Sequence, residues 1–145
     1  TEGFNTVTWV GNGSTNKISG VGFSPDLVWI KSRNNNYDHT LYDSIRGVGN
    51  TKALATNQTG AEGINPNNVN LSSFNPDCFT LGSTSSTNIL NLSGDSYVGW
   101  CWDAGSSTVS NTDGSITSSL RANPADGFSV VTYTGNGTSG ATVEH

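Results

Sequence analysis

The residue types that perform catalysis are sparse in this chain, and their spacing matches no catalytic motif. The histidines are His39 and His145. His39, Asp43 and Ser44 could be combined into a nucleophilic triad, but no nucleophile-elbow sequence surrounds Ser44. The carboxylates are too dispersed for the acid pair of a glycosidase. We therefore expect no catalytic residues and no enzyme activity.

Metal-binding spacing is equally weak. Asp113 with Asn111, or Asp77 with Asn75, could offer oxygen ligands to Ca²⁺. Aspartate and asparagine at these places are also what turn formation requires, and we favour that use. The sequence therefore predicts no metal site and no cofactor.

Cys78 and Cys101 are separated by 23 residues. An even cysteine count permits a disulfide in an extracellular protein. Cys101 lies within an apolar run, where a free cysteine packs as a small hydrophobic residue. The sequence leaves a disulfide and two free thiols equally open.

Aromatic side chains could bind sugars, because their rings offer apolar faces beside a polar edge. Trp100 and Trp102 share one face of a predicted strand, and core packing is the expected use of both. Tyr37 follows a polar Asn-Asn-Asn loop and is the better candidate for an exposed sugar contact.

Glycosylation is the remaining candidate chemistry. Five Asn-x-Ser/Thr sites occur, at Asn12, Asn57, Asn70, Asn91 and Asn136. The composition alone produces about this many, so their number carries no information.

Composition excludes several classes of protein. The net charge of −5 and the pI near 4.6 argue against nucleic-acid binding, which depends on clustered Lys and Arg. No apolar stretch approaches the length that spans a bilayer. Gly, Asn, Ser and Thr form about half of the chain and are weak helix formers.

An all-β fold follows from the apolar runs, which are short, β-prone and bounded by turn residues. The pattern predicts a two-sheet β-sandwich, jelly-roll or concanavalin-like, with about ten short strands. These strands are 4–10, 17–21, 26–32, 39–45, 51–56, 69–74, 78–81, 96–103, 115–120 and 128–134. Leu27 to Ile30 form a continuous apolar run, which predicts a strand covered on both faces. Residues 104–119 are expected to form a hairpin tip or a linker.

An internal repeat is the most informative feature of the sequence. Gly3–Ser14 reads GFNTVTWVGNGS, and Gly127–Thr138 reads GFSVVTYTGNGT, at an offset of 124 residues. Two strands of equivalent sequence are built for equivalent positions. We therefore expect residues 1–126 to form one repeat unit, and residues 127–145 to begin a second repeat or act as a connecting or donor strand. The alternative is that the second copy pairs beside the first in one sheet.

A family resemblance covers essentially the whole chain. The segments that carry it are Phe4–Trp9, Gly20–Arg33, Leu41–Gly47 and Tyr97–Trp102. They resemble the repeats of virion and tail-fibre-like structural proteins of aquatic phages. The resemblance implies repeated β-sandwich domains along an extracellular or virion protein, without an established activity. Cys78 departs from the pattern, which has Gly there.

The expected function is that of a structural extracellular module that assembles head-to-tail into a fibre or virion appendage by sharing strands. Its partners would be further copies of itself. The assembly residues would be Phe4, Val7, Trp9, Phe128, Val130, Val131 and Tyr133. A carbohydrate-binding, lectin-like receptor-recognition module is the alternative, and glycans would then be a partner. Neither hypothesis involves nucleic acid or a membrane.

Overall fold

A computed structural model describes residues 3–63, 69–82 and 88–145 and contains eleven β-strands. The strands are β1 (Phe4–Val10), β2 (Asn16–Ser19), β3 (Leu27–Ser32), β4 (Thr40–Asp43), β5 (Leu54–Ala55), β6 (Leu71–Asn75), β7 (Cys78–Leu81), β8 (Ser96–Trp102), β9 (Thr108–Asn111), β10 (Ser118–Asn123) and β11 (Phe128–Tyr133). One short 3-10 helix, Asn50–Lys52, precedes β5.

The strands form three antiparallel sheets. Sheet 1 has the order β1-β8-β3-β4-β5, sheet 2 the order β2-β7-β6, and sheet 3 the order β11-β10-β9. All the strand pairs that join them are antiparallel. The prediction of an all-β sandwich is therefore confirmed.

The core lies between sheets 1 and 2. Alternate residues of each strand point into it, because successive side chains of a strand leave opposite faces. Sheet 1 contributes Val7, Val28, Ile30, Tyr42, Tyr97 and Cys101, and sheet 2 contributes Ile18, Leu71, Phe79 and Leu81. The Tyr42 hydroxyl donates a hydrogen bond to the Val69 carbonyl at 3.1 Å, so the buried phenol is satisfied.

Two expectations about strands are corrected. The Leu27–Ile30 run occupies the middle strand of sheet 1, but its burial alternates, with Val28 and Ile30 buried and Leu27 and Trp29 only half-buried. Residues 104–119 contain β9, which the polar composition of that segment concealed. Its exposed residues pair with β10 and pack no core, so no apolar pattern is required of them.

An ion pair and a ring stack are among the contacts that join sheet 3 to sheet 1. Nε of Arg121 on β10 lies 2.7 Å from Oδ1 of Asp26, although its N–H is not directed at that oxygen. Asp26 also accepts a hydrogen bond from the Ala104 amide at 2.9 Å. Phe128 stacks on Trp102 with ring centroids 5.8 Å apart. Sheet 3 thereby covers the Trp102 end of the outer face of sheet 1.

The Asp26 carboxyl gives a test of this junction. Burial raises its pKa above the ordinary 3.8, and the Ala104 amide and the Arg121 cation offset part of that rise. The stability that Asp26 contributes is therefore present below pH 3.8 and lost as the pH rises through its folded pKa.

We expect Arg121→Gln to raise the pKa of Asp26 further, because the variant removes a nearby cation. Carboxyl ¹³C NMR titration of both proteins measures this. Asp38, whose pKa is lowered by hydrogen bonds from Asn57 and Gln58, is the internal control and should not move. A folded pKa of Asp26 below 3.8 would contradict the assignment.

Candidate functional site: the two copies of the repeat

The two copies of the repeat form edge strands of different sheets. β1 is the edge of sheet 1 and pairs with β8 over seven residues, Phe4 opposite Trp102 to Val10 opposite Ser96. β11 is the edge of sheet 3 and pairs with β10 over six residues. The alternative in which the copies pair beside one another is therefore wrong. Each copy therefore has one strand neighbour in its sheet, although on β1 the Thr6 amide donates to Asn5 Oδ1 at 2.8 Å.

The first copy directs its apolar face into the core. Val7 is buried, and Trp9 stacks on Tyr97 with centroids 5.4 Å apart. The edge of the Trp9 ring also meets Phe79 at 5.7 Å. The strand is thereby fixed by side-chain packing as well as by its pairing with β8.

The Gly-Asn-Gly turn of the first copy packs closely against residues 91–95. A Cβ on Gly11 would overlap the carbonyl oxygen of Leu92, so only glycine allows this approach. The Gly11 amide donates to the Asp95 carbonyl at 2.8 Å. The Asn12 Oδ1 accepts hydrogen bonds from the Ser14 amide and from Nδ2 of Asn91, at 2.9 and 2.7 Å.

Asn91 is the centre of this contact. Its side chain is almost fully buried. Nδ2 donates to Asn12 Oδ1 and to the Ser14 carbonyl, while Oδ1 accepts from the Asn12 amide and from Nδ2 of Asn16. One amide thus satisfies three groups of the β1–β2 loop and one of Asn16 at the start of β2, which sequence reasoning did not identify.

The second copy has the same local turn without these tertiary contacts. Asn136 Oδ1 accepts a hydrogen bond from the Thr138 amide at 2.9 Å, just as Asn12 does from Ser14. Among the described residues, none lies within 4 Å of a Cβ built on Gly135 or Gly137. Tyr133, the counterpart of Trp9, is 60% exposed.

The remaining assembly residues lie around the contact between sheets 1 and 3. Phe4 is 44% exposed and packs on Trp102 at 4.9 Å. Phe128 stacks on the same ring, and Val130, also on β11, is buried. Val131, the counterpart of the buried Val7, is only half-buried.

The segment after the second turn contacts the β9–β10 loop. The Thr142 carbonyl accepts a hydrogen bond from the Ile116 amide at 3.0 Å.

The five candidate glycosylation sites differ in accessibility. Asn12, Asn57 and Asn136 are exposed and Asn70 is half-buried. The expectation that Asn91 is a glycosylation site is corrected, because its Nδ2 is buried and already donates two hydrogen bonds. A glycan there would remove both.

The catalytic constellation weighed from the sequence is not assembled. His39 and Asp43 lie at opposite ends of β4. The Asp43 carboxylate is buried and holds the Arg46 guanidinium together with the amides of Ile45 and Arg46. His39 instead packs its ring against Trp29.

The aromatic residues are distributed differently from the expectation. Tyr37, the candidate sugar contact, is half-buried and packs against the core. Trp100 and Trp102, expected in the core, lie on the outer face of sheet 1, because Tyr97, Gly99 and Cys101 take the inward positions of β8. The alternation was readable from the sequence, but which face met the core was not.

Both cysteines are free and buried. Cys78 begins β7 in sheet 2 and Cys101 lies on β8 in sheet 1. Burial raises the pKa of the Cys101 thiol to about 12, so it stays protonated at neutral pH. The disulfide alternative is not realised.

Comparison with known proteins assigns the family. The profile of a domain of unknown function, DUF7483, matches residues 1–145. The chain belongs to the DUF7483 family. No curated protein and no solved structure matches it.

The part of the chain that the structure describes contains no helix with the length and apolar character needed to cross a bilayer. Within that same part, no group of three or more His, Cys, Asp or Glu side chains is placed to hold a metal ion.

We expect Asn91→Ala to lower the free energy of unfolding by about 2–4 kcal/mol, because it removes a buried amide and leaves its partners unsatisfied. Asn136→Ala is the matched control and should change it by less than about 0.5 kcal/mol. Urea denaturation followed by tryptophan fluorescence measures both. Equal losses in the two variants would contradict the different roles of the two turns.

The thiols give a second test. Without reductant, both cysteines should resist alkylation in the native protein and both should react in denaturant, since they are buried rather than bonded. Intact-mass spectrometry counts the added groups. Alkylation in denaturant that requires prior reduction would show a disulfide instead.

Proposed function

We propose that this protein is a structural module that assembles head-to-tail by sharing strands between units. In the assembly, the second copy of the repeat, Gly127–Thr138, occupies in a following unit the position that Gly3–Ser14 occupies here. The observation that carries the proposal is the second turn. It keeps the glycines and the asparagine that the first turn needs, yet makes none of the tertiary contacts that require them.

The position of β1 suits an exchanged strand. It offers seven paired residues along β8, a core site for an aromatic ring beside Tyr97 and Phe79, and the Asn91 amide for the turn. In this position Val131, Tyr133 and Gly135 would take the places of Val7, Trp9 and Gly11. Val131 would then be buried as Val7 is, and Tyr133 would change from 60% exposed to half-buried, as Trp9 is, which favours the exchange.

Exchange has a cost within the donating unit. β11 would give up its six-residue pairing with β10, the stack of Phe128 on Trp102 and the burial of Val130, whose counterpart Thr6 is exposed. It would gain the seven-residue pairing with β8 and a half-buried position for its aromatic ring beside Tyr97. Contacts of this kind are heterologous and do not close on themselves, so they extend into a filament.

Because the sequence resembles tail-fibre-like repeats, the proposed assembly is an extracellular fibre or a virion appendage. The surface is consistent with it. Exposed positions are mostly Ser, Thr, Asn and Gly, and the acidic excess of the chain is small, so units can approach with little repulsion.

The two glycines provide the test. In Gly11→Ala the chain's own turn cannot seat against Leu92, which frees the β1 position for the second copy of a neighbouring chain. We expect this variant to form linear oligomers at high protein concentration. Sedimentation velocity and negative-stain electron microscopy measure their size and shape.

Gly135→Ala is the matched control. On its own it should leave the free energy of unfolding within about 0.5 kcal/mol of the parent, because its new Cβ meets no described residue. Combined with Gly11→Ala it should abolish the oligomers, since neither turn then fits. Gly11→Ala that stays monomeric, or a double variant that assembles equally well, would refute the proposal.

A further inference from the structure

The outer face of sheet 1 carries a row of aromatic and apolar side chains. The register of β1, β8, β3, β4 and β5 aligns Thr6, Trp100, Trp29, Leu41 and Leu54 across the sheet. The two indole rings lie 5.4 Å apart, and the His39 ring lies 6.2 Å from Trp29. All three rings are half-buried, so part of each ring is open to solvent. We call Trp29, Trp100 and His39 the aromatic platform.

A polar rim adjoins one side of the platform. Nε1 of Trp29 donates to the Thr56 hydroxyl at 3.1 Å, which places residues 56–58 beside the indole. Asn57 accepts a hydrogen bond from the His39 amide at 3.0 Å and donates to Asp38 Oδ1 at 2.9 Å. Gln58 donates to the other Asp38 oxygen at 2.7 Å.

The rim is ordered before any ligand arrives. Hydrogen bonds from Asn57 and Gln58 lower the pKa of Asp38, so the carboxylate stays ionised and fixed in orientation. Each of its oxygens still has accepting capacity, and within the described part of the chain the Gln58 amide makes no other hydrogen bond. Polar groups held by neighbours lose little entropy when they bind a ligand.

The charge at this surface points to a neutral ligand. Lys31 lies on the outer face of β3, but its ammonium group donates to the carbonyls of Ser32 and Asn35. The ammonium keeps its charge and acts on the nearby Asp38 carboxylate, so these two charges beside the platform are opposite in sign and offset each other. An anionic polymer would meet that carboxylate, whereas a neutral sugar would find an acceptor for its hydroxyl hydrogens.

We propose that the platform and its rim bind a neutral carbohydrate. The apolar C–H face of a pyranose ring stacks on Trp100 and Trp29, and hydroxyls at the ring edge bond to Asp38, Asn57 and Gln58. The tilt of 47° between the two indoles offers faces to successive sugar units rather than one flat surface. This binding is independent of the strand exchange proposed above, because it uses neither copy of the repeat.

A titration with sugars of known structure tests the site. The probes are cellohexaose, maltohexaose and chitohexaose, followed by NMR of the indole N–H and side-chain amide signals. We expect at least one hexasaccharide to bind and to shift the signals of Trp29, Trp100, Asn57 and Gln58. Shifts confined to other residues, or binding by none of the three sugars, would overturn the proposal.

Variants separate the platform from the rim. Trp100→Ala and Gln58→Ala should each weaken binding by about tenfold or more, through lost stacking and a lost hydrogen bond. Val109→Ala removes an apolar side chain that is 51% exposed on β9, outside the platform and both copies of the repeat, and should bind as the parent does. Thermal denaturation checks the folding of each.

Gln58 is exposed, so its variant remains informative if Trp100→Ala is unstable. Parent-level binding by Gln58→Ala would remove the rim from the site. Equal weakening by Val109→Ala would mean that the sugar binds elsewhere, which would refute the assignment.

Discussion

The alternation of side chains along β8 is the constraint on which the rest of the structure depends. This strand lies between β1 and β3, and its inward positions are Tyr97, Gly99 and Cys101. Gly99 leaves the space that the Trp9 ring fills, since a Cβ there would lie 3.1 Å from Trp9 Cζ3. The side chains of Trp100 and Trp102 therefore lie on the outer face of the sheet. A shift of one residue would exchange the core and the outer surface together.

The two proposals depend on opposite faces of this sheet. The inward face and the β1 position beside β8 would receive a shared strand, and the outward face provides the aromatic platform. On the outward face, Trp102 belongs to the junction with sheet 3 and not to the platform, because its ring stacks on Phe128 and contacts Phe4. A unit in a filament could therefore exchange its edge strand without covering Trp29 and Trp100.

Local sequence was sufficient to predict most strands. β1 and β7 begin and end at the predicted residues, because apolar runs end there at Gly, Pro, Asn or Asp. β9 was missed since its pairing with β10 buries no apolar side chain. The use of Trp100 depended on which face met sheet 2, which is a tertiary property. Asn91 was indistinguishable from a glycosylation site, because its role arises from the Asn12 turn, 79 residues away.

The free cysteines have a consequence for where such a unit can function. Cys78 and Cys101 are the only cysteines in the chain, and both are enclosed by the sandwich. The fold therefore owes none of its stability to a covalent cross-link, and neither thiolate is available for exchange. Its stability is accordingly the same in a reducing and in an oxidising medium. A module of this kind can fold in one redox environment and serve in another without any change in its bonding.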